Sequence, residues 1–330
     1  EAKTPGFWVN LMLTRVADSI FWMNRYIERM ENNSRIIDVN LLISMELPTG
    51  TMEQWGPLVH ATGEYPLFEK LYGEPTKENV LKFLLAEKEN SSSILNCLHF
   101  ARENARIVRE NISSEIWEHL NVSYLEVREM LQNDDVDILN IRDFLKKIKF
   151  IGQLFAGLIA STISRLEGWS FSIMGRYLER ADNASRFLDV KYFHLLPSPE
   201  DVGSSLDLIQ WHSILKSLSA FEMYRKIYGR ISAADITEFI VLNHDFPRSI
   251  LFCVLMLDAE MRKLTGSGIN QFSNEAERKI GKLKADLSYT SVSEIVKYGL
   301  HEYLDLLQRR LIEIGGEIDR SFLLSSGETV

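Results

Sequence analysis

Apolar residues recur at spacings of three and four along most of this chain, from VADSIFWMNRYI near the start to LDLLQRRLIEIG near the end. That period puts them on one face of an α-helix, and the strict alternation that marks a strand is nearly absent. The chain therefore reads as all-α. Start signals agree: Thr76 precedes KENVLKFLLA, Ser232 precedes AADITEFIVL, and Asp245 stands just ahead of Phe246-Pro247. Helix breaks are expected at Asp134-Asp135 and at Ser288-Tyr289-Thr290-Ser291. Only 18 Gly and 8 Pro in 330 residues leave room for long uninterrupted elements.

The pattern also repeats. RYIERMENNSRIIDV (25–39) returns as RYLERADNASRFLDV (176–190), with nine of fifteen positions identical at a shift of 151. At a shift of 156, Gln54-Trp55 meets Gln210-Trp211, KLYG (70–73) meets KIYG (226–229), SILNC (93–97) meets SILFC (249–253) and Arg106 meets Arg262. The five extra residues fall in LLPSPEDVGSS (195–205), a loop by composition. This spacing predicts two tandem repeats, 12–166 and 167–324, of five to six helices each, packed about a pseudo-twofold axis. Residues 1–11, unlike the rest of the chain in character, read as a tag or an extended N-terminus, and 325–330 as a tail.

On a helix that turns about 100° per residue, Arg25, Glu28, Arg29, Asn32 and Arg35 fall within an arc of about 120°. Arg176, Glu179, Arg180, Asn183 and Arg186 do the same. Met23, Tyr26, Ile27, Met30 and Ile37 lie opposite and form a core face. Glu31 and Asp38 sit at the margin of the polar stripe, so its centre holds three Arg against one Glu in each repeat. Two arrangements fit. In one, the charges close on each other as a salt-bridge lattice. In the other, two stripes face a shared cleft whose arginine forks bind a carboxylate or phosphate. Arg106 and Arg248 are further candidates for that cleft. Glu28 and Glu179 are candidate acid/base groups, although a neighbouring Arg lowers a carboxylate's pKa and favours an electrostatic role.

Composition narrows the chemistry. Hydrophobic residues make up 45% and charged residues 25%, as in an ordinary globular protein. A net charge of −9 speaks against nucleic acid, whose binding needs cations against phosphates. No apolar run is long enough to span a membrane, and no secretory leader is recognisable, so a cytoplasmic address is expected. Cys97 and Cys253 lack metal-ligand spacing and read as core residues. No Gly-rich phosphate loop, HExxH or CxxC is found, so neither cofactor nor metal is expected here. His99 and Glu103 are four apart, which is weak support for a metal site.

With MLTRVADSIFWMNRYIERMENNSRIIDV (12–39) and IMGRYLERADNASRFLDVKY (173–192) in view, the chain resembles the bacterial alpha-E domain family. HFARENARIVRENISSEIWEHLN (99–121) and LNHDFPRSILFCV (242–254) extend the resemblance over nearly the whole chain. The resemblance implies a helical fold and a setting beside circularly permuted ATP-grasp ligases, in peptide or amide-bond formation. It singles out Arg25, Glu28, Arg29, Glu31, Asn32 and Arg35, with Arg176, Glu179, Arg180, Asp182, Asn183 and Arg186. Arg102, Arg106, Trp117, Asn121, Arg248 and Ser249 fall in its secondary motifs. Asn24 stands where the family commonly has Gly, as the second repeat does at Gly175. Three functions are then open: an accessory protein holding a peptide or small anionic substrate for a partner ligase, an enzyme using Glu28 or Glu179, and a structural adaptor.

Overall fold

The two longest helices are the two that carry the repeated motif: α1, Thr14–Glu46, and α8, Glu167–Phe193. The computed structural model describes residues 14–46, 54–132, 140–193, 203–269 and 271–323. Among these residues the fold is entirely helical, with fifteen α-helices and no strand. After α1 come α2 (Gly56–Thr62), α3 (Tyr65–Tyr72), α4 (Lys77–Ala86), α5 (Ile94–Ile107), α6 (Ser114–Gln132) and α7 (Ile141–Thr162). After α8 come α9 (Ser205–Ser217), α10 (Phe221–Tyr228), α11 (Ala233–Leu242) and α12 (Ile250–Thr265). The order ends with α13 (Glu275–Tyr289), α14 (Val292–Tyr298) and α15 (Leu300–Ile318).

Seven helices thus begin in the stretch to residue 166 and eight in the stretch after it, more than the five to six expected of each. The extra ones are short. Helices of seven or eight residues, such as α2, α3, α10 and α14, span about two turns and show too little periodicity to be read. Gly299 also separates the short α14 from α15. Thr76 and Ser232 cap α4 and α11 as expected, each accepting from the backbone N–H three residues on. Asp245 starts no helix. Asn243 shapes that turn, its Oδ1 accepting from the N–H groups of Asp245 and Phe246, and α12 begins after the cap Ser249. The proposed segments 1–11 and 325–330, the break at Asp134-Asp135 and most of LLPSPEDVGSS lie outside the described residues.

The two motif helices pack against each other at the centre. α1 also packs on α5 and α7, while α8 packs on α12 and α15. The short helices cross over: α2 lies against α8, and α9 lies against α1. This enclosure explains an oddity of α1. Its residues from Glu31 to Leu41 are all buried, polar and charged ones included, so it has no solvent face there. The helix is held by neighbours on every side rather than by one amphipathic stripe.

The α1–α8 contact depends on Gly175. A Cβ at that position would overlap the Phe21 carbonyl oxygen, which is backbone and has little freedom to move aside. Gly175→Ala is expected to push the helices apart and destabilise the fold by about 1–3 kcal/mol, measured by chemical denaturation. Unchanged stability would show that the helices tolerate a wider spacing. Asn24, one residue before Arg25, is buried and turns its Nδ2 back to the Ile20 carbonyl at 2.9 Å.

Candidate functional site

The motif charges pair across the two long helices, and the pairing is reciprocal. Glu28 of α1 accepts from Arg180 of α8 through Nε and Nη2, both at 2.8 Å. Glu179 of α8 accepts from Arg29 of α1 through Nε at 2.6 Å and Nη2 at 3.0 Å. Each bond joins residues about 150 positions apart, so they tie one stretch of chain to the other. Arg25 adds a third bond to Glu179 at 2.9 Å and lies over the Trp22 ring. Glu28 and Glu179 are 3% and 1% exposed, which puts these pairs in a different class from surface ion pairs. A buried carboxylate without its arginines would be left uncompensated.

The two ends of this crossing differ. Around Glu28 the space is filled. Arg248, just before the cap of α12, donates to Glu28 at 3.1 Å, to Asn32 Oδ1 at 3.0 Å and to Glu31 at 2.8 Å. Arg35 donates to Glu31 through Nε and Nη2, and to Ser219 Oγ. The sequence placed Glu31 and Asp38 at the edge of the stripe, but both are buried and paired. Glu31 holds Arg35 and Arg248, and Asp38 takes Arg142 and Lys149 of α7. Arg176 is the exception here: its Nη2 is buried and has no hydrogen-bond partner among the described residues.

Around Glu179 the space is open. A cavity of about 280 Å³ lies there, lined by Arg25, Arg29, Glu179, Asp182, Asn183 and Arg186 of the motifs, with Asn33, Glu64 and Ser92 beside them. Its rim includes Gly63 and Ile312, both exposed. Asn183 donates to the Glu179 backbone carbonyl at 2.8 Å and to Glu179 Oε1 at 3.3 Å. Arg186 donates through Nε to Asp182 Oδ2 at 2.8 Å, while Asp182 Oδ1 is buried with no hydrogen-bond partner among the described residues. Asn33 and Ser92 support the wall: Asn33 Nδ2 donates to the Ser92 carbonyl at 2.6 Å, and Ser92 Oγ to Glu64 at 3.3 Å. Gly63 has φ +75°, and a Cβ there would come within 2.8 Å of Arg186 Nη1.

Protonation follows from this packing. Burial pushes the Glu179 carboxyl up, but Arg29 and Arg25 outweigh it and hold the pKa down at about 2. Burial opposes ionisation of Glu28 too, and Arg180 and Arg248 again win, leaving it well below the carboxylate range. Both are therefore anions at neutral pH. On the filled side, burial and then the charge of Arg180 lower the pKa of both Arg176 and Arg248. That is the mark of positive charge crowded into one place. Burial raises the thiols of Cys97 and Cys253 to about 12, so neither is a nucleophile in the resting fold.

The structure brings Arg25, Glu28, Arg29, Asn32, Arg35, Arg180, Asn183, Arg186 and Arg248 together around the α1–α8 crossing, with Arg176 beside them. Arg106 is elsewhere: its side chain is 64% exposed and pairs with Glu103. Arg102, Trp117 and Asn121 form a separate cluster between α5 and α6, with Arg102 Nε donating to Asn121 at 2.8 Å and the guanidinium over the Trp117 ring. No group of three or more His, Cys, Asp or Glu that could hold a metal occurs among the described residues. Nor is any described helix long and apolar enough to cross a membrane. A larger groove of about 690 Å³ lies between α6 and α7, lined by apolar residues such as Phe150 and Leu154 with charged ones such as Glu118 and Lys147, and by no residue of the repeated α1 and α8 motif. Sequence reasoning passed over Asn33, Thr62, Gly63, Glu64 and Ser92. A signal existed at Ser92, which the 156-residue shift sets against Arg248.

Uncharacterized proteins of Mycobacterium bovis and Mycobacterium tuberculosis are 22% identical over 314 residues, which covers 89% of this chain and 34% of each relative. A further uncharacterized protein of Mycobacterium tuberculosis is 21% identical over the same length. The chain thus spans about a third of the length of these curated relatives. No solved structure matches it. The family model for Alpha-E, described as a predicted alpha-helical domain with a conserved ER motif, matches residues 12–323. Glu-Arg stands at 28–29 in α1 and at 179–180 in α8, the four residues whose side chains pair reciprocally. This chain belongs to the Alpha-E family.

Proposed function

We propose that this chain is an accessory, substrate-binding protein built from two tandem helical units, 12–166 and 167–324, related by a pseudo-twofold axis between α1 and α8. The observation that carries the reading is the cavity beside Glu179, walled by charged and amide side chains and open to solvent at Gly63 and Ile312. Its volume of about 280 Å³ is at the small end of ligand pockets, which suits an amino acid or one end of a peptide rather than a nucleotide. Arg186, whose Nη1 sits by Gly63 at the mouth, is placed to receive a ligand carboxylate. In this reading the chain works in the cytoplasm beside a circularly permuted ATP-grasp ligase, and presents a charged substrate for peptide or amide-bond formation. The ligase supplies the nucleotide chemistry, and nucleic acid has no part in it.

The crossed pairs favour a structural role for the Glu28 side, where Arg248 fills the space. They weigh against acid/base catalysis. A carboxylate held at a pKa of about 2, as Glu179 is, makes a poor base near neutral pH. Asn33→Ala and Glu64→Ala, assayed with the partner ligase and ATP, are expected to cut product formation at least tenfold while circular dichroism shows a folded chain. Product formation indifferent to both changes would contradict a substrate-binding role. Turnover by the purified chain without a ligase would point to an enzyme instead.

A further inference from the structure

The ends of the crossing differ at matched sequence positions, and the differences share a direction. At the 151-residue shift Glu28, Glu31 and Asn32 match Glu179, Asp182 and Asn183. Arg248 donates to all three of the first set. At the 156-residue shift its counterpart is Ser92, too short to reach the second set, and the cavity lies there instead. The wall changes in step: Asn33, Thr62 and Glu64 line the open side where the shifts place Ala184, Leu218 and Ala220. Two polar groups and one acid stand in the open half against two alanines and a leucine.

Charge points the same way. The filled side holds Arg35, Arg176, Arg180 and Arg248 against Glu28 and Glu31. The open side holds Arg25, Arg29 and Arg186 against Glu64, Glu179 and Asp182. The filled side accepts a fourth guanidinium with one carboxylate fewer, so the open side can take one at lower electrostatic cost. An acceptor is also waiting. Asp182 Oδ1 is buried without a hydrogen-bond partner among the described residues, whereas its counterpart Glu31 takes donors from Arg35 and Arg248. A buried carboxylate oxygen left unmatched is costly, and a ligand donor would relieve it.

We infer that the Glu179 cavity binds a guanidinium group, held by Glu179, Asp182 and Asn183 as Arg248 is held by Glu28, Glu31 and Asn32. The ligand is arginine, free or as a side chain of a peptide. Its guanidinium sits at the bottom and its backbone end faces Arg186 at the mouth. This rests on the substrate-binding reading above and narrows it, because the deep subsite takes a cation.

Isothermal titration calorimetry tests it with L-arginine, a blocked arginine amide, L-citrulline, L-glutamate and inorganic phosphate. Citrulline keeps the shape of arginine without its charge. Arginine is expected to bind at least tenfold tighter than citrulline. Equal binding of the blocked amide would identify a peptide side chain as the ligand, and loss with the amide the free amino acid. Ser92→Arg, which supplies the missing guanidinium from the chain itself, is expected to abolish arginine binding. If that variant does not fold, Asp182→Asn gives the same readout through at least a tenfold loss. Citrulline binding as well as arginine, or arginine binding unaltered by either substitution, would overturn the inference. Binding of glutamate or phosphate without arginine would overturn it too, while leaving a substrate-binding cleft in place. If none of the probes binds, both readings fail.

Discussion

Replacing Glu28 by Leu is expected to lower stability by about 3–5 kcal/mol, because it strips Arg180 and Arg248 of a shared buried partner. The size follows from the asymmetry of buried charge. Two guanidiniums lose the carboxylate that offset their desolvation, and solvent has little access to replace it, since Glu28 is only 3% exposed. At roughly 2–3 °C per kcal/mol, the melting temperature should fall on the order of 10 °C. An exposed pair would give a fraction of that, about 0–1 kcal/mol. A loss below about 1 kcal/mol would mean that Glu28 is solvated in the folded chain.

Acidification should undo the same contacts. The Glu179 carboxyl has a pKa of about 2 in the fold against an ordinary 4.5. Between those values the unfolded chain binds a proton that the folded chain does not, so stability rises with pH there. The contribution is complete above about pH 4.5 and is lost as pH falls towards 2. At about 1.4 kcal/mol per pH unit of separation, this carboxylate alone contributes on the order of 3 kcal/mol. Glu28, also held below its ordinary range, acts in the same direction over the same window. Denaturation midpoints measured from pH 6 to pH 2.5 should drop steeply below pH 4.5, and Glu179→Gln should flatten that part of the curve. A wild-type profile that is flat down to pH 3 would contradict the pairing.

The all-helical class was legible because the apolar period extends over most of the chain, and the motif helices were legible from their repeated charges. What periodicity could not show was the environment of those charges. A wheel drawn for α1 separates a polar stripe from an apolar face and leaves open whether its charges close on each other or face a cleft. The stripe meets α8, and Glu31 and Asp38, which the wheel sets at its margin, are buried with basic partners from beside α12 and from α7. Partners contributed by distant segments leave no trace in local spacing. Arg106 illustrates the converse: its repetition as Arg262 suggested a place in the cleft, yet it faces solvent beside Glu103. The cavity was least visible, because it exists where a large side chain is missing. The pairing of Ser92 with Arg248 hints at it, as do Asn33, Thr62 and Glu64 against Ala184, Leu218 and Ala220, and those hints acquire meaning once Arg248 is seen filling the other side.

A double-mutant cycle on Glu28 and Arg180 bears most directly on the reciprocal clamp. The two residues lie 152 positions apart, on different helices, so no local helix effect can couple them. With Glu28→Leu, Arg180→Leu and the double variant compared by chemical denaturation, a buried pair predicts a coupling of about 1.5 kcal/mol or more, with the double variant little worse than either single one. Additive losses, with coupling within about 0.5 kcal/mol of zero, would mean that the two side chains do not meet and that the clamp between α1 and α8 does not exist.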